Sequence, residues 1–417
     1  MSGINTEYVL VTQYFHPDTA STGQLMTNLA VGLQKRGLDM TVYTTHPNYH
    51  SGNFDKQPRK ENHEGVDVTR IRAPQLNQTS FPRRAFNWVV YTIWMAIVLL
   101  SSQSDRDRKI VFVSNPPFFG IPMWIICRLR GWEYTYIVYD LWPEKGIEFG
   151  FYRADGIIDR LWSYFHRKVL IGADTVVTLG PKMRENILAY APGELNDKVE
   201  IIHNWADGDF LTPKKKSENW FSDKYDLVDR FALLYSGNIG LFHDLETVIR
   251  ACQSFTEEEF QFLVIGEGDN KEPMASLAEK LNVYNKTVNF LPYQPYEDLP
   301  YSLTCADITV VTVQKGFEGT CVSSKLYTAL ATGQPVLIIA QPYADEAHIV
   351  KKHDAGAQVA QGDIDTVIKQ IRKWKSNPEL LEKQAKNARE AFEDHYTKEK
   401  SIDAYYETLT GERSEMR

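Results

Sequence analysis

Two ionisable residues stand seven positions apart in the stretch Phe317-Glu318-Gly319-Thr320-Cys321-Val322-Ser323-Ser324-Lys325-Leu326-Tyr327-Thr328. A strand is expected to end near Val313, and Ser323 or Ser324 can cap the helix that follows. Lys325 then falls in the first turn of that helix, where a cation opposes the helix dipole at about 0.3–1 kcal/mol. A bound anion reverses the sign, so the chemistry this position suits is contact with a diphosphate. The competing reading is a solvent-exposed lysine that tolerates the dipole.

Three further loops carry residues of similar promise. Tyr235-Ser236-Gly237-Asn238-Ile239-Gly240 follows an apolar run, and backbone amides around Gly237, Asn238 and Gly240 suit an anion-binding nest. Gly266-Glu267-Gly268 ends the next run. Asn270 and Lys271 stand where a third glycine would be needed, which disfavours a nicotinamide cofactor. Tyr139-Asp140-Leu141-Trp142-Pro143-Glu144 puts a carboxylate at the end of another apolar run. Asp140 there either orients a sugar hydroxyl or stabilises developing positive charge, or else serves as a helix cap or local ion pair. In the opening loop from Phe15 to Gln24, His16, Thr22 and Gly23 are ligand contacts or simply parts of a tight strand–helix turn.

These loops need elements to hold them. Short apolar runs alternate with amphipathic segments, the pattern of α/β domains with parallel sheets. Strands are expected at 8–15, 39–45, 66–73, 109–115, 133–140, 175–180 and 198–204, with helices at 24–36, 85–101, 119–130, 157–171 and 181–190. The alternation pauses over 205–230, which reads as a linker. A second series follows: strands at 231–237, 260–266, 288–292, 307–313, 335–340 and 357–360, and helices at 244–255, 273–282, 296–305, 323–332, 345–353 and 363–375. A polar helical region closes the chain from Asn377 to about Leu409. Two doubly wound domains in series imply a cleft lined by loops at the strand C-terminal ends.

The 417 residues exceed what one compact core usually holds, in keeping with two domains. A net charge of −8 excludes a general nucleic-acid binder. The charge is uneven: residues 65–135 carry nine basic and four acidic side chains, whereas 201–417 carry 24 against 34. Cys127, Cys252, Cys305 and Cys321 form no C-x-x-C pair and read as small buried hydrophobes in a reducing compartment. With no basic-plus-apolar leader, the expected location is cytoplasmic. No metal and no cofactor is expected.

Taken together, these stretches resemble the retaining glycosyltransferases of family 4, with the GT-B fold of two facing Rossmann-like domains and an interdomain cleft. The resemblance includes Ile202-His203-Asn204-Trp205-Ala206-Asp207, the Ser236-Gly237-Asn238 turn, and Leu330-Ala331-Thr332-Gly333-Gln334-Pro335-Val336 against the family's "A-x-G-x-P-V". Asp140–Glu144, Gly237–Gly240 and Ser324–Tyr327 resemble a WbuB-like subgroup of bacterial surface-polysaccharide assembly. The resemblance implies an N-terminal acceptor domain over 1–205, a donor domain over 206–394, and a C-terminal helix from about 395 to 417 that packs back on the first domain. The implied catalytic residues are Asp140, Glu318 and Lys325. Gly237, Asn238, Gly240, Gly266, Gly268, Leu291, Tyr293, Gly319, Ser324 and Thr328 contact the donor, and His16, Thr22 and Gly23 contact the acceptor. Within this set Glu318 holds hydroxyls of the donor sugar. The family's second glutamate has no counterpart; position 326 is leucine, and anchoring from Gly333 puts Thr328 in its place. The family's arginine and lysine after the first strand of domain two are replaced by Asn238 and His243, which leaves Lys325 as the nearest cation.

The implied reaction moves a sugar from a nucleoside diphosphate, UDP by resemblance, onto a lipid-linked or glycan acceptor with retention. A non-hydrolysing nucleotide-sugar epimerase and a non-catalytic sugar or nucleotide binder are the alternatives. Residues 85–100 bear on the acceptor. They are apolar nearly all round, flanked by Arg83, Arg84, Arg106, Arg108 and Lys109, and at 16 residues shorter than a membrane span. The segment is either a buried sheet-covering helix or a monotopic contact with the inner leaflet through 83–109.

Overall fold

The computed structural model describes residues 6–18, 21–47, 57–76, 81–103 and 106–412. It divides into two compact units, Met1–His203 with Glu399–Arg417, and Asn204–Lys398.

The first unit is built on β1 (Thr6–Val11), β2 (Asp39–Thr45), β3 (Lys60–His63), β4 (Val66–Ile71), β5 (Asp107–Val113), β6 (Glu133–Ile137), β7 (Thr175–Thr178) and β8 (Val199–Ile201). They form one sheet in the order β3-β4-β2-β1-β5-β6-β7-β8. Every pairing is parallel except β3 with β4, a hairpin the hydrophobic pattern does not reveal because Lys60–His63 is polar throughout. The order reverses between β1 and β5, a doubly wound switch point. The last helix, Lys398–Thr410, belongs here from residue 399: Arg36 Nε donates to Asp403 at 2.7 Å, and Ile402 and Tyr405 are buried.

The second unit carries β9 (Phe231–Ser236), β10 (Phe260–Ile265), β11 (Val288–Leu291), β12 (Ile308–Thr312), β13 (Val336–Ile339) and β14 (Gly356–Val359). The order is β11-β10-β9-β12-β13-β14, all parallel, with its switch point between β9 and β12. β10 and β12 are buried at every residue, as expected when helices cover both faces of a parallel sheet. Both units are thus Rossmann-like.

Half of the expected linker is core. Trp220–Lys224 forms a short helix capped by Asn219, whose Oδ1 accepts the Phe221 amide at 2.9 Å and whose Nδ2 donates to the Tyr301 carbonyl at 2.8 Å. Phe221 and Leu227 are fully buried against Leu234 and Ile265. The charged residues around them concealed these two anchors. The helix expected over 296–305 is a 3-10 turn at Tyr296–Asp298 running into Leu299–Ser302, and the polar tail is two helices broken at Tyr396. Of the four cysteines, Cys321 is half-exposed rather than buried.

The apolar segment is a 21-residue helix, Phe81–Ser101, starting four residues earlier than its composition suggests. It is not uniform around its axis. Asn87, Tyr91, Met95 and Leu99, four apart, are buried in the first unit. Asn87 pins the N-terminal part by donating to the Leu76 carbonyl and accepting its amide, both at 2.7 Å. Phe86, Val89, Ile93, Ile97 and Leu100 form the opposite stripe and are exposed, Ile97 by 55%. Among the described residues this is the one helix long and apolar enough to cross a membrane by length and composition. Its packed face makes it part of a globular unit.

Candidate functional site

In the second unit the candidate donor residues converge on the C-terminal ends of the strands around the switch point. The loops after β9 and β10 are laced together. Gly237 donates to the Ile265 carbonyl at 2.9 Å, Ile239 to Glu267 at 2.8 Å, and Asn270 to Ile239 at 3.0 Å. Two of the amides in Gly237–Gly240 are therefore already engaged, so a nest of all of them does not form. β11 joins through Gly266, which donates to the Leu291 carbonyl at 2.9 Å, and Tyr293 brings its hydroxyl to 3.5 Å from the Glu267 carbonyl. A side chain at Gly266 would place Cβ 1.9 Å from the Gly237 carbonyl oxygen, with φ at +145°. Glycine is required there for the loops to meet.

Lys325 lies in the first turn of the helix Ser324–Ala331. Ser323 occupies the N-cap position, but its side chain makes no capping bond; its amide donates instead to Glu346 Oε1 at 2.8 Å. Lys325 is half-buried and turns back toward β9. Its ammonium stands 5.1 Å over the Tyr235 ring and 3.3 Å from His243 Nε2. Gly237, at φ +131°, makes room: a Cβ there would lie 2.7 Å from Lys325 Cε. Among the described residues no carboxylate reaches ion-pair distance of Lys325. Burial therefore dominates and pushes its pKa down to about 8, against smaller upward pulls from Cys321 and Glu346. A cation partly drawn from water without a carboxylate at ion-pair distance is suited to contact with an anion.

Glu318 sits in the loop after β12, next to Gly319, and is buried. Its Oε2 accepts the Gly316 amide at 2.8 Å, while Oε1 accepts Gln361 Nε2 at 2.8 Å and the Gln341 amide at 3.3 Å. A carboxylate has about four acceptor positions, so this one is held rigidly with one left on Oε2. The loop is tied to that of Lys325's neighbours by the Gln314 amide, which donates to the Phe242 carbonyl at 2.8 Å. Thr328 is half-buried and spends its hydroxyl proton on the Lys325 carbonyl at 2.9 Å.

The remaining candidates belong to the first unit. Asp140 lies beyond β6, its amide donating to Ser114 Oγ at 2.9 Å. Its carboxylate is paired with Lys145, whose ammonium is nearly buried. The local ion pair considered from sequence is thus present, and it predicts a stability role. Asp140→Asn should lower stability by about 1–3 kcal/mol because the nearly buried Lys145 loses the charge of this carboxylate. Lys145→Met in the same chain should recover most of that loss in a urea melt. Absence of any loss in the single variant would refute the pairing's importance.

His16 donates its amide to Thr27 Oγ1 at 2.9 Å, and that hydroxyl donates to the Gly23 carbonyl at 2.8 Å, so His16, Gly23 and the helix Ser21–Lys35 form one local unit that includes Thr22. The His16 ring stacks on His63 at 4.0 Å. Burial, then the neighbouring His63, lowers its pKa. Arg70, wholly buried, donates to the His16 carbonyl at 2.7 Å and to Glu61 at 2.6 Å. Thr19 and Ala20 of this loop lie outside the described residues.

Spacing alone did not assign His243, Tyr235, Glu346 or Gln361 a place beside the two charged candidates. They come from the loop after β9, from β9 itself, from the helix Asp345–Lys352 and from the loop after β14, and only the parallel sheet order assembles them.

Comparison with known proteins agrees with this architecture. Residues 22–205 match the glycosyl transferase 4-like domain, and residues 217–391 match glycosyl transferases group 1. These matches span most of the chain, which is a GT-B-fold glycosyltransferase related to both groups. Among similar proteins, WcaI of Escherichia coli strain K12, assigned as a glycosyl transferase of colanic acid biosynthesis, is 24% identical over 79% of this chain and 82% of its own. WbjE of Pseudomonas aeruginosa, assigned as a glycosyltransferase, is 22% identical over 70% of this chain and 72% of its own. Among solved structures, sucrose-phosphate synthase from Thermosynechococcus elongatus superposes with a TM-score of 0.76 at 15% identity, covering 98% of this chain and all (100%) of the other. Anabaena HepE in complex with UDP and glucose gives 0.72 at 12% identity, covering 97% and 100%.

Proposed function

We propose that this chain transfers a sugar, with retention and without a metal, from a nucleoside-diphosphate donor to a lipid-linked or glycan acceptor in bacterial surface-polysaccharide assembly. The observation that carries the reading is Lys325: a half-buried ammonium with, among the described residues, no carboxylate at ion-pair distance, aimed at a glycine loop at the switch point of a Rossmann-like unit. UDP is the preferred donor nucleotide, a choice supported by the HepE complexes with UDP and with UDP-glucose. The polysaccharide setting is supported by the assignment of WcaI and by the WbuB-like motifs at Asp140–Glu144 and Ser324–Tyr327.

In this reading the second unit binds the donor. Lys325 neutralises charge that grows on the diphosphate as the bond to the anomeric carbon breaks. The free acceptor position on Glu318 Oε2 takes a sugar hydroxyl, and Gly319, Ser324 and Thr328 line the same loop and helix. Gly266, Gly268, Leu291 and Tyr293 frame base and ribose. The acceptor, held in the first unit near His16, Thr22 and Gly23, forms its oxygen–carbon bond on the face the diphosphate leaves. Its proton passes to a departing diphosphate oxygen. No protein nucleophile is called for, and the carboxylates of Glu318 and Asp140, each already bonded to protein donors, are suited to holding rather than attacking.

The exposed stripe of the helix Phe81–Ser101 supports a location at the cytoplasmic face of a membrane. Helix Gly120–Arg130, which packs on it, exposes Leu129 by 72%, and helix Ile157–Gly172, packed in turn on that helix, exposes Ile157 by 87%. An exposed apolar stripe along a whole helix is uncommon on a protein that stays in water. Arg83, Arg128 and Arg130 border it, and such side chains attract anionic lipid at about 1 kcal/mol each.

A thermal-shift panel tests the donor assignment. One of UDP, GDP and dTDP at saturating concentration is expected to raise Tm by several degrees, and its parent nucleoside by less. No shift with any of them would overturn the reading.

A further inference from the structure

The contact between Lys325 and His243 joins two elements and has a fixed polarity. His243 Nδ1 lies 2.9 Å from the Thr312 carbonyl oxygen. A carbonyl only accepts, so Nδ1 carries the ring proton, and the neutral ring presents an unprotonated Nε2 to the ammonium at 3.3 Å. The ring is buried and packs against Tyr235 at 5.7 Å and Phe242 at 4.2 Å, which prevents it from turning over. The groups facing the ammonium are Tyr235 from β9, His243 from the loop after it, Cys321 from the loop before the helix, and Glu346 from the helix Asp345–Lys352. Of these, His243 alone accepts a hydrogen bond from it.

We propose that His243 is a positioning residue for diphosphate binding: through Nε2 it holds the Lys325 ammonium beside the Gly237 loop, so that an entering nucleoside diphosphate meets a cation already aimed. This rests on the reading of Lys325 as the diphosphate contact. A lysine side chain free in solution gives up rotamer entropy on binding; one held by His243 has already given it up.

Two consequences separate this role from simple packing. The affinity for diphosphate falls on the alkaline side, above about pH 8, as Lys325 loses its proton. It also falls on the acid side once Nε2 is protonated, because the ring then repels the ammonium it held. Glutamine can put an amide oxygen near the Nε2 position and does not titrate. Asparagine reaches only the Nδ1 position, where it can still donate to Thr312.

The test is calorimetric titration of the full chain with whichever of UDP, GDP and dTDP binds best, and with its nucleoside, from about pH 6 to about pH 9. The variants are H243Q, H243N and K325A, each checked for folding by its melting curve. H243Q is expected to keep diphosphate affinity near neutrality and to lose part of the acid-side fall. H243N is expected to bind diphosphate about tenfold more weakly while nucleoside affinity holds. If K325A loses diphosphate affinity but H243N does not, the positioning role is overturned and the Lys325 reading stands. If K325A binds like wild type, the Lys325 reading falls first. Equal weakening of nucleoside and diphosphate in H243N also overturns the proposal, since it marks a packing role. Should H243N fail to fold, the acid limb of H243Q decides, and an unchanged limb overturns it.

Discussion

Replacing Lys325 by methionine is expected to give a protein that melts higher than wild type at pH 7 without nucleotide, yet binds nucleoside diphosphate about a hundredfold more weakly. The affinity loss is that of a charge-assisted phosphate contact, about 1.5–3 kcal/mol. The gain in stability follows from linkage. Burial lowers the Lys325 pKa to about 8 in the folded chain from an ordinary value of 10.5. Below about 8 both folded and unfolded chains hold the proton, and the folded chain bears the full cost of a poorly solvated cation. Between about 8 and 10.5 the folded chain has released its proton while the unfolded chain keeps it, so wild-type stability rises with pH through that window. The melting advantage of Lys325→Met should therefore be largest near neutrality and shrink toward pH 10.5. Methionine keeps the four-atom apolar stem and gives up only the ammonium with its contacts to the Tyr235 ring and His243. A variant that melts lower than wild type at pH 7 and binds diphosphate normally would remove Lys325 from the site.

The double variant Ile93→Glu, Ile97→Glu is expected to abolish binding to vesicles of mixed zwitterionic and anionic lipid while leaving the melting curve close to wild type. Both side chains lie on the exposed stripe of the helix Phe81–Ser101, so neither loses a core contact. Each replaces an apolar group, worth about 1.5–3 kcal/mol when fully buried, by a carboxylate that anionic lipid repels. Together they should weaken partitioning by two orders of magnitude or more, roughly. High salt should weaken wild-type binding only in part, since salt screens the arginines but not apolar burial. Met95→Glu, on the buried face of the same helix, should instead unfold the first unit. Co-sedimentation of the double variant equal to wild type would remove the membrane assignment and leave the sugar-transfer reading intact. The tryptophans and tyrosine of this helix are poorer probes: Tyr91 is core, Trp88 is half-buried, and Trp94 alone is exposed.

Sequence alone determined what depends on local pattern. The apolar runs that become β9, β10 and β12 are continuous enough to mark buried parallel strands, and the glycines at 237, 266 and 268 mark the loops at the ends of β9 and β10. The position of Lys325 in a first helical turn follows from the apolar strand before it and the serines between. A fully polar strand such as Lys60–His63 leaves no such trace, nor does the anchoring of Phe221 among charged neighbours. Tertiary structure decided the pairings. That Asp140 is neutralised by Lys145, and that Lys325 has an imidazole and an aromatic ring against it but, among the described residues, no carboxylate within ion-pair distance, depends on which loops the strand order brings together. It also divided the helix Phe81–Ser101 into a packed and a bare face. Its residues are apolar on both, so periodicity offers no preference; only the sheet and helices beside it fix which stripe is buried.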